Sequence, residues 1–207
     1  MIRFVSTTSL VALLILVLYL PSTTPPQRFI DQLRAEHALT TVFWGRDHAL
    51  YILSRMLDWQ AAAKQASPVP SPSDAPVQNS VDLAVAKQMA EVNHRLFNNP
   101  YFRSVDTLLA LATYRLSVLI EWLPSLLAFM LATLFDGLLM RIVKSKEFRQ
   151  HNPEVFAVHA CATIMTACAT VLAFVLPVTL HPLVFSALPI AISSFASRAV
   201  TDFHRRD

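Results

Sequence analysis

The chain has 207 residues, of which 54% are hydrophobic and only 15% charged, with a formal net charge of +3. Soluble domains carry about 25% charged residues, so this composition excludes an ordinary water-soluble globule and requires long apolar runs to be hidden, most simply in a bilayer. The small positive excess excludes an argument for nucleic-acid binding from charge alone, and the length leaves room for one membrane domain plus one modest soluble module.

The first apolar run, Val5 to Leu20, ends at Pro21. It is short for a spanning helix, so a secretory signal peptide is the competing assignment. The n-region holds only Arg3, and residues 20–26 offer no small-x-small cleavage site. Residues 1–20 are therefore expected to be an uncleaved N-terminal anchor.

Residues 21–107 follow as a soluble module, with eight Lys/Arg against eight Asp/Glu. Phe29, Ile30, Leu33 and His37, then Leu50, Leu53, Met56 and Leu57, recur at helical spacing. Trp44-Gly45 is a candidate break between two helices. Phe29, Phe43, Trp44, Tyr51 and Trp59 form either a candidate partner face or the packing of a small helical core or membrane-surface contacts, and the latter assignments are the commoner outcome for such aromatics. Residues 66–80 are rich in Pro and Ser and are expected to be an extended linker. A further helix is expected from Val81 to Phe97, before Asn98-Asn99-Pro100.

Residues 108–207 make a three-span membrane domain. Trp122 to Met140 is one span, Val155 to Pro177 the next and Leu183 to Val200 the last. Asn152-Pro153-Glu154 is a helix start, with Asn as cap, Pro in the first position and an acid suited to the dipole. The short stretch Val178–Pro182 predicts a tight helical hairpin. Cys161 and Cys168 lie on one helix face roughly 10 Å apart, too far for a disulfide.

Lys and Arg concentrate in short cytoplasmic loops. The 141–154 loop holds Arg141, Lys144, Lys146 and Arg149, and the C-terminal region holds Arg198, Arg205 and Arg206, whereas Val178–Pro182 holds none. The expectation is an all-α, four-span inner-membrane protein with both termini cytoplasmic and a helical periplasmic module between spans one and two.

Ionisable residues inside a span are costly and therefore functional candidates. Glu121, Ser125, Ala128, Ala132 and Asp136 fall on one narrow helix face, a groove of small residues between two acids where another helix can approach. Close packing against the third span, also rich in small residues, is the structural alternative. Asp136, His159 and Arg198 sit near one depth on three spans, so an Asp136–Arg198 pair with His159 beside it is expected to clamp the cytoplasmic end. No HExxH, no metal-spaced Cys/His cluster and no P-loop appears, so neither enzymatic activity nor a cofactor or metal is expected.

From about Arg115 onward the sequence resembles a family of conjugative-element inner-membrane proteins, the membrane TraJ type of SXT-, IncHI- and IncC-like systems. The residues that carry the likeness are Trp122 and Pro124, Asp136-Gly137-Leu138 with Arg141, Phe148, Asn152-Pro153-Glu154-Val155-Phe156, and the prolines Pro177 and Pro182. The resemblance covers roughly the C-terminal half. It implies a role in conjugative DNA transfer beside a TraD/TraG-like coupling ATPase, with contacts through membrane helices and lipid, no direct nucleic-acid contact, and an oligomeric state within the coupling complex. The readings that compete with it are a small transporter or channel subunit using Glu121 and Asp136, and a periplasmic sensor or exclusion protein.

Overall fold

Each of the four apolar runs becomes a helix long and apolar enough to cross a membrane. The computed structural model describes residues 2–66, 99–146 and 153–203, and among these the regular structure is entirely helical. The helices are α1 Ile2–Thr23, α2 Pro26–Trp44, α3 Arg46–Ala66, α4 Pro100–Lys146, α5 Pro153–Val175 and α6 Pro182–Asp202. The expected linker after Ala66 and the expected helix at 81–97 lie outside the described residues, as do Asn152 and Phe148.

Helix boundaries follow local chemistry. Gly45 separates α2 from α3 with φ +88° and ψ 163°, a conformation almost confined to glycine because a Cβ would crowd the adjoining carbonyl. Pro153 and Pro182 occupy first turns, where a missing N–H costs nothing. At the start of α6 the His181 imidazole accepts the Leu183 N–H. The end of α1 differs from expectation. α1 runs through Pro21 to Thr23, because a proline so close to the end forfeits a single intrahelical bond, and the Thr24 N–H still reaches the Leu20 carbonyl at 3.0 Å.

α4 is one helix of 47 residues. At 1.5 Å per residue it is about 70 Å long, more than twice the ~30 Å of a bilayer's hydrocarbon. The 107/108 boundary drawn from composition therefore falls inside an unbroken helix. α4 carries the spanning segment and also the surface on which α2 and α3 pack.

The buried core lies at the end of the bundle marked by the α5–α6 turn. There Ile52 and Met56 from α3 meet Tyr114 and Val118 from α4 and Phe185 from α6. Beside them Phe29 of α2 joins Leu108, Leu111 and Val175. The inward stripe of α3 is Ala49, Ile52 and Met56, while Leu50 and Leu57 of the same apolar series stay exposed. Away from this core the four long helices keep large apolar side chains on the outside, Leu131, Phe135, Leu139 and Val143 on α4 among them.

The partner of α4 in the bundle is α6, not α5 as expected from the small residues of the third span. Gly137 decides this. A Cβ built on Gly137 would lie 2.7 Å from the Ser197 carbonyl oxygen, so α4 and α6 touch backbone to backbone there. The Thr201 hydroxyl adds a 3.3 Å hydrogen bond to the Gly137 carbonyl. Ser125, Ala128 and Ala132 are left facing outward.

Candidate functional site

Among the described residues the largest fully buried side chain is that of Arg115, on α4. It faces Glu36 of α2, whose side chain is 3% exposed. Nε donates to both carboxylate oxygens at 3.2 and 3.0 Å, and Nη2 donates to Oε1. The remaining N–H groups serve the turn after α5. Nη1 donates to the Ala173 and Leu176 carbonyls, both at 2.7 Å, and Nη2 to Val178 at 2.8 Å. Glu36 also accepts the Leu180 N–H at 3.2 Å. The last carbonyls of a helix lack intrahelical donors, and here one planar cation serves that of Ala173 together with two in the following turn, a geometry lysine cannot reproduce. Arg115 and Glu36 thus tie α2, α4 and the α5–α6 turn into one unit.

A second polar node fixes α3. Arg55 donates from Nη2 to Glu121 Oε2 at 2.9 Å and to the Ser117 carbonyl at 2.6 Å, and from Nε to the Ser117 hydroxyl at 2.9 Å. The Ser117 hydroxyl donates onward to the Ile52 carbonyl at 2.9 Å. His48 Nε2 lies 3.0 Å from the other Glu121 oxygen, off the angle a hydrogen bond requires. The acid that opens the small-residue face is therefore held by α3 rather than waiting in a groove.

Around this node the aromatic residues contact one another, with Trp44 and Trp59 half-buried and Phe43 and Tyr51 exposed. Trp44 lies 5.5 Å from Trp122 and 5.2 Å from Phe43, ring centre to ring centre, and Phe43 meets His181 edge-on at 5.5 Å. Tyr51 and Trp59 flank the Arg55 guanidinium at 5.2 and 6.0 Å. Tyr51 remains more than half exposed.

At the opposite end the clamp uses an acid that sequence reasoning missed. Asp202 accepts from Lys144 at 2.6 Å and lies 3.4 Å from His159 Nδ1, joining α4, α5 and α6. His159 lies beside Asp202 rather than beside the expected Asp136–Arg198 pair, which does not form. Both side chains are exposed, and among the described residues neither has an ion pair or hydrogen bond. α4 and α6 run in the same direction and touch at Gly137 and Ser197. Each charge sits one residue from that contact, about 100° around its helix, and faces away from it into the open.

The Asp136-Gly137-Leu138 motif with Arg141 acquires a physical meaning. Gly137 permits the backbone contact with Ser197, and the Arg141 guanidinium sits 5.0 Å from the Phe203 ring centre, closing the end of α6. Glu36, Arg55, His48, Lys144 and Asp202 were not singled out from sequence. Glu36 had a legible signal. With Phe29, Leu33 and Thr40 it forms a 4-3-4 stripe on α2, an acid where the apolar face should be.

Among the described residues no three or more His, Cys, Asp or Glu side chains are placed to hold a metal ion. The groups that stand out position helices, and the open surfaces are helix flanks. Among the described residues the regular structure is all helical, with four helices of membrane-spanning length and composition. A family model described as "IncC plasmid conjugative DNA transfer protein DtrJ-like" matches residues 35–201, and the chain belongs to this DtrJ-like family. The match takes in α2 from just before Glu36, all of α4 and α5, and nearly all of α6, so the Arg115–Glu36 unit lies within it. No curated protein and no solved structure matches the chain.

Proposed function

We propose that this protein is a non-enzymatic, multi-pass inner-membrane component of a conjugative type IV secretion system. It binds and supports the TraD/TraG-like coupling ATPase through membrane helices. The family match over residues 35–201 carries the reading. Two further features support it: four helices apolar enough to span, with outward-facing Leu, Phe and Val that a bilayer would cover, and polar nodes spent on holding helices together rather than on exposing reactive groups.

In this arrangement the end bearing Arg141, Lys144 and Lys146 is cytoplasmic, with both termini, by the distribution of Lys and Arg. The core around Arg115 then lies at the periplasmic side, where α2 and α3 cover the α5–α6 turn. The basic rim satisfies topology and contacts no DNA. The transporter reading draws no support, since Arg55 engages Glu121 while Asp136 faces outward at the far end. The two acids line no common path.

The test is affinity purification of the tagged full-length chain from conjugating cells in mild detergent. Recovery of the coupling ATPase, together with loss of transfer when the gene is deleted, is expected. Unimpaired transfer and no ATPase in the eluate overturn the reading.

A further inference from the structure

Asp136 and Arg198 are two charges that one copy of the chain leaves unmatched. Both are exposed and lack partners among the described residues, and both lie on helices that the membrane reading places in lipid. On α4 the exposed apolar side chains continue past Asp136 through Leu139, Met140 and Val143. The carboxylate therefore sits within the apolar belt, where a lone charge is costly. α4 and α6 run in the same direction: Tyr114 and Val118 cluster with Phe185 near one end, and Lys144 meets Asp202 at the other. One residue back from Gly137 and one residue on from Ser197, the two side chains turn about 100° from the helix contact onto the same flank, within about 3 Å of one depth.

We propose that a second copy of this chain covers this flank, in a two-fold dimer whose axis runs along the membrane normal. A flank with an acid on one helix and a base on the other is its own complement. Turned by half a revolution, it sets α4 of one copy against α6 of the other, and Asp136 of each meets Arg198 of its partner. The residues above the charges fit. On α4 Ala132, Phe129 and Ser125 rise from Asp136, and on α6 Ser194, Ala191 and Ala187 rise from Arg198 at the same spacing. All are exposed except Ala191, which is half-buried. The helices that meet across the dimer are parallel, so equal offsets fall level, and the Phe129 ring faces the methyl group of Ala191. The small residues on either side let the backbones approach. The Ser125 and Ser194 hydroxyls donate to carbonyls of their own helices, Trp122 and Ile190, each at 2.8 Å, so neither brings an unmet donor into the contact.

Because acid and base share one flank, the contact is isologous and closes at two copies. The inference rests on the membrane reading proposed above, and the experiment separates the two.

D136R leaves two bases on the flank and R198D leaves two acids. Each variant alone is expected to reduce the dimer in mild detergent at least tenfold. Co-expressed with different tags, the two are expected to co-purify as a mixed dimer, because each supplies the charge the other lacks. In a C161A/C168A background, a tagged Asp136→Cys copy and a differently tagged Arg198→Cys copy are oxidised together in native membranes. A disulfide between the two tags is expected, whereas Phe135→Cys, turned about 100° away from the flank, is expected to give none with Arg198→Cys. A dimer regained by the D136R/R198D double variant but not by mixing the two single variants would place the charge pair within one copy and overturn the inference. So would a chain that stays in carbonate-washed membranes but gives neither the mixed disulfide nor the mixed dimer. A chain washed out by carbonate overturns the membrane reading, and the inference with it.

Discussion

Arg115 and Glu36 stand 79 positions apart in the chain and meet with side chains 0% and 3% exposed, so α2 is bound to α4 by a charge pair sealed from solvent. Removing one partner of such a pair strands the other charge, at a cost of about 3–5 kcal/mol. Glu36→Ala is expected to lower the thermal unfolding midpoint of the detergent-solubilised chain sharply, as is Arg115→Met. A Glu36→Leu/Arg115→Met double variant should lose less than the two single losses combined, because neither charge is then stranded. Strict additivity in circular-dichroism melts would show that the pair is not a coupled unit.

Gly137 makes the second prediction. Gly137→Ala drives a methyl group against the Ser197 carbonyl and hydroxyl oxygens, each 2.7 Å away, and overpacking of this kind costs about 1–3 kcal/mol. Ser197→Gly deletes the hydroxyl but leaves the backbone oxygen in place, so it should rescue little. Full rescue in the same melting assay would mean that the backbone contact is not the constraint.

The third concerns Gly45. A Cβ there meets nothing within 4 Å, so Gly45→Ala removes no contact and creates no clash with a neighbour. Its cost is backbone strain alone, about 1–3 kcal/mol for a residue held in this region. The expected readout is a lower melting midpoint with unchanged helix content at low temperature. An unchanged midpoint would contradict the left-handed corner between α2 and α3.

The two acids near the tail end separate the fourth prediction. Asp202→Asn weakens contacts to Lys144 and His159 that are partly solvated, with side chains 18–26% exposed, and is expected to cost no more than about 1 kcal/mol. Asp136→Asn in detergent-dispersed single chains should shift stability by less than ~0.5 kcal/mol, the usual range for surface positions. A larger effect of Asp136→Asn in dispersed chains would point to an intramolecular partner.

The helices themselves were legible because each is announced by its own residues. Apolar runs mark the four long ones, Gly45 marks the corner and Pro153 and Pro182 mark two starts. Which helix packs on which was not legible from composition. The third span is as rich in small residues as α4, yet the decisive contact is a single glycine against one carbonyl of α6. The polar nodes were half legible. Arg115, Glu121 and His159 stand out as ionisable groups in apolar surroundings, and Glu36 interrupts the inward stripe of α2, but Arg55 and Asp202 sit in polar stretches where an acid or base is unremarked. Their pairing depends on three-dimensional proximity across 43 to 79 residues. Depth along a helix predicted that Asp136 and Arg198 are level. It carried no information on the direction each faces, which is set by the contact of α4 with α6 at Gly137 and Ser197.

α4 begins beside α1, where the Ser104 hydroxyl donates to the Thr24 carbonyl at 3.0 Å, and ends at the Lys144–Asp202 contact. An α-helix with its hydrogen bonds intact neither stretches nor shortens, and the one proline in the interior of α4, Pro124, removes a single intrahelical bond. On either side of Pro124 the helix is therefore stiff along its axis. Bending at Pro124 is where a tilt applied at Ser104 can be absorbed before it reaches Lys144, and no loop lies between the two.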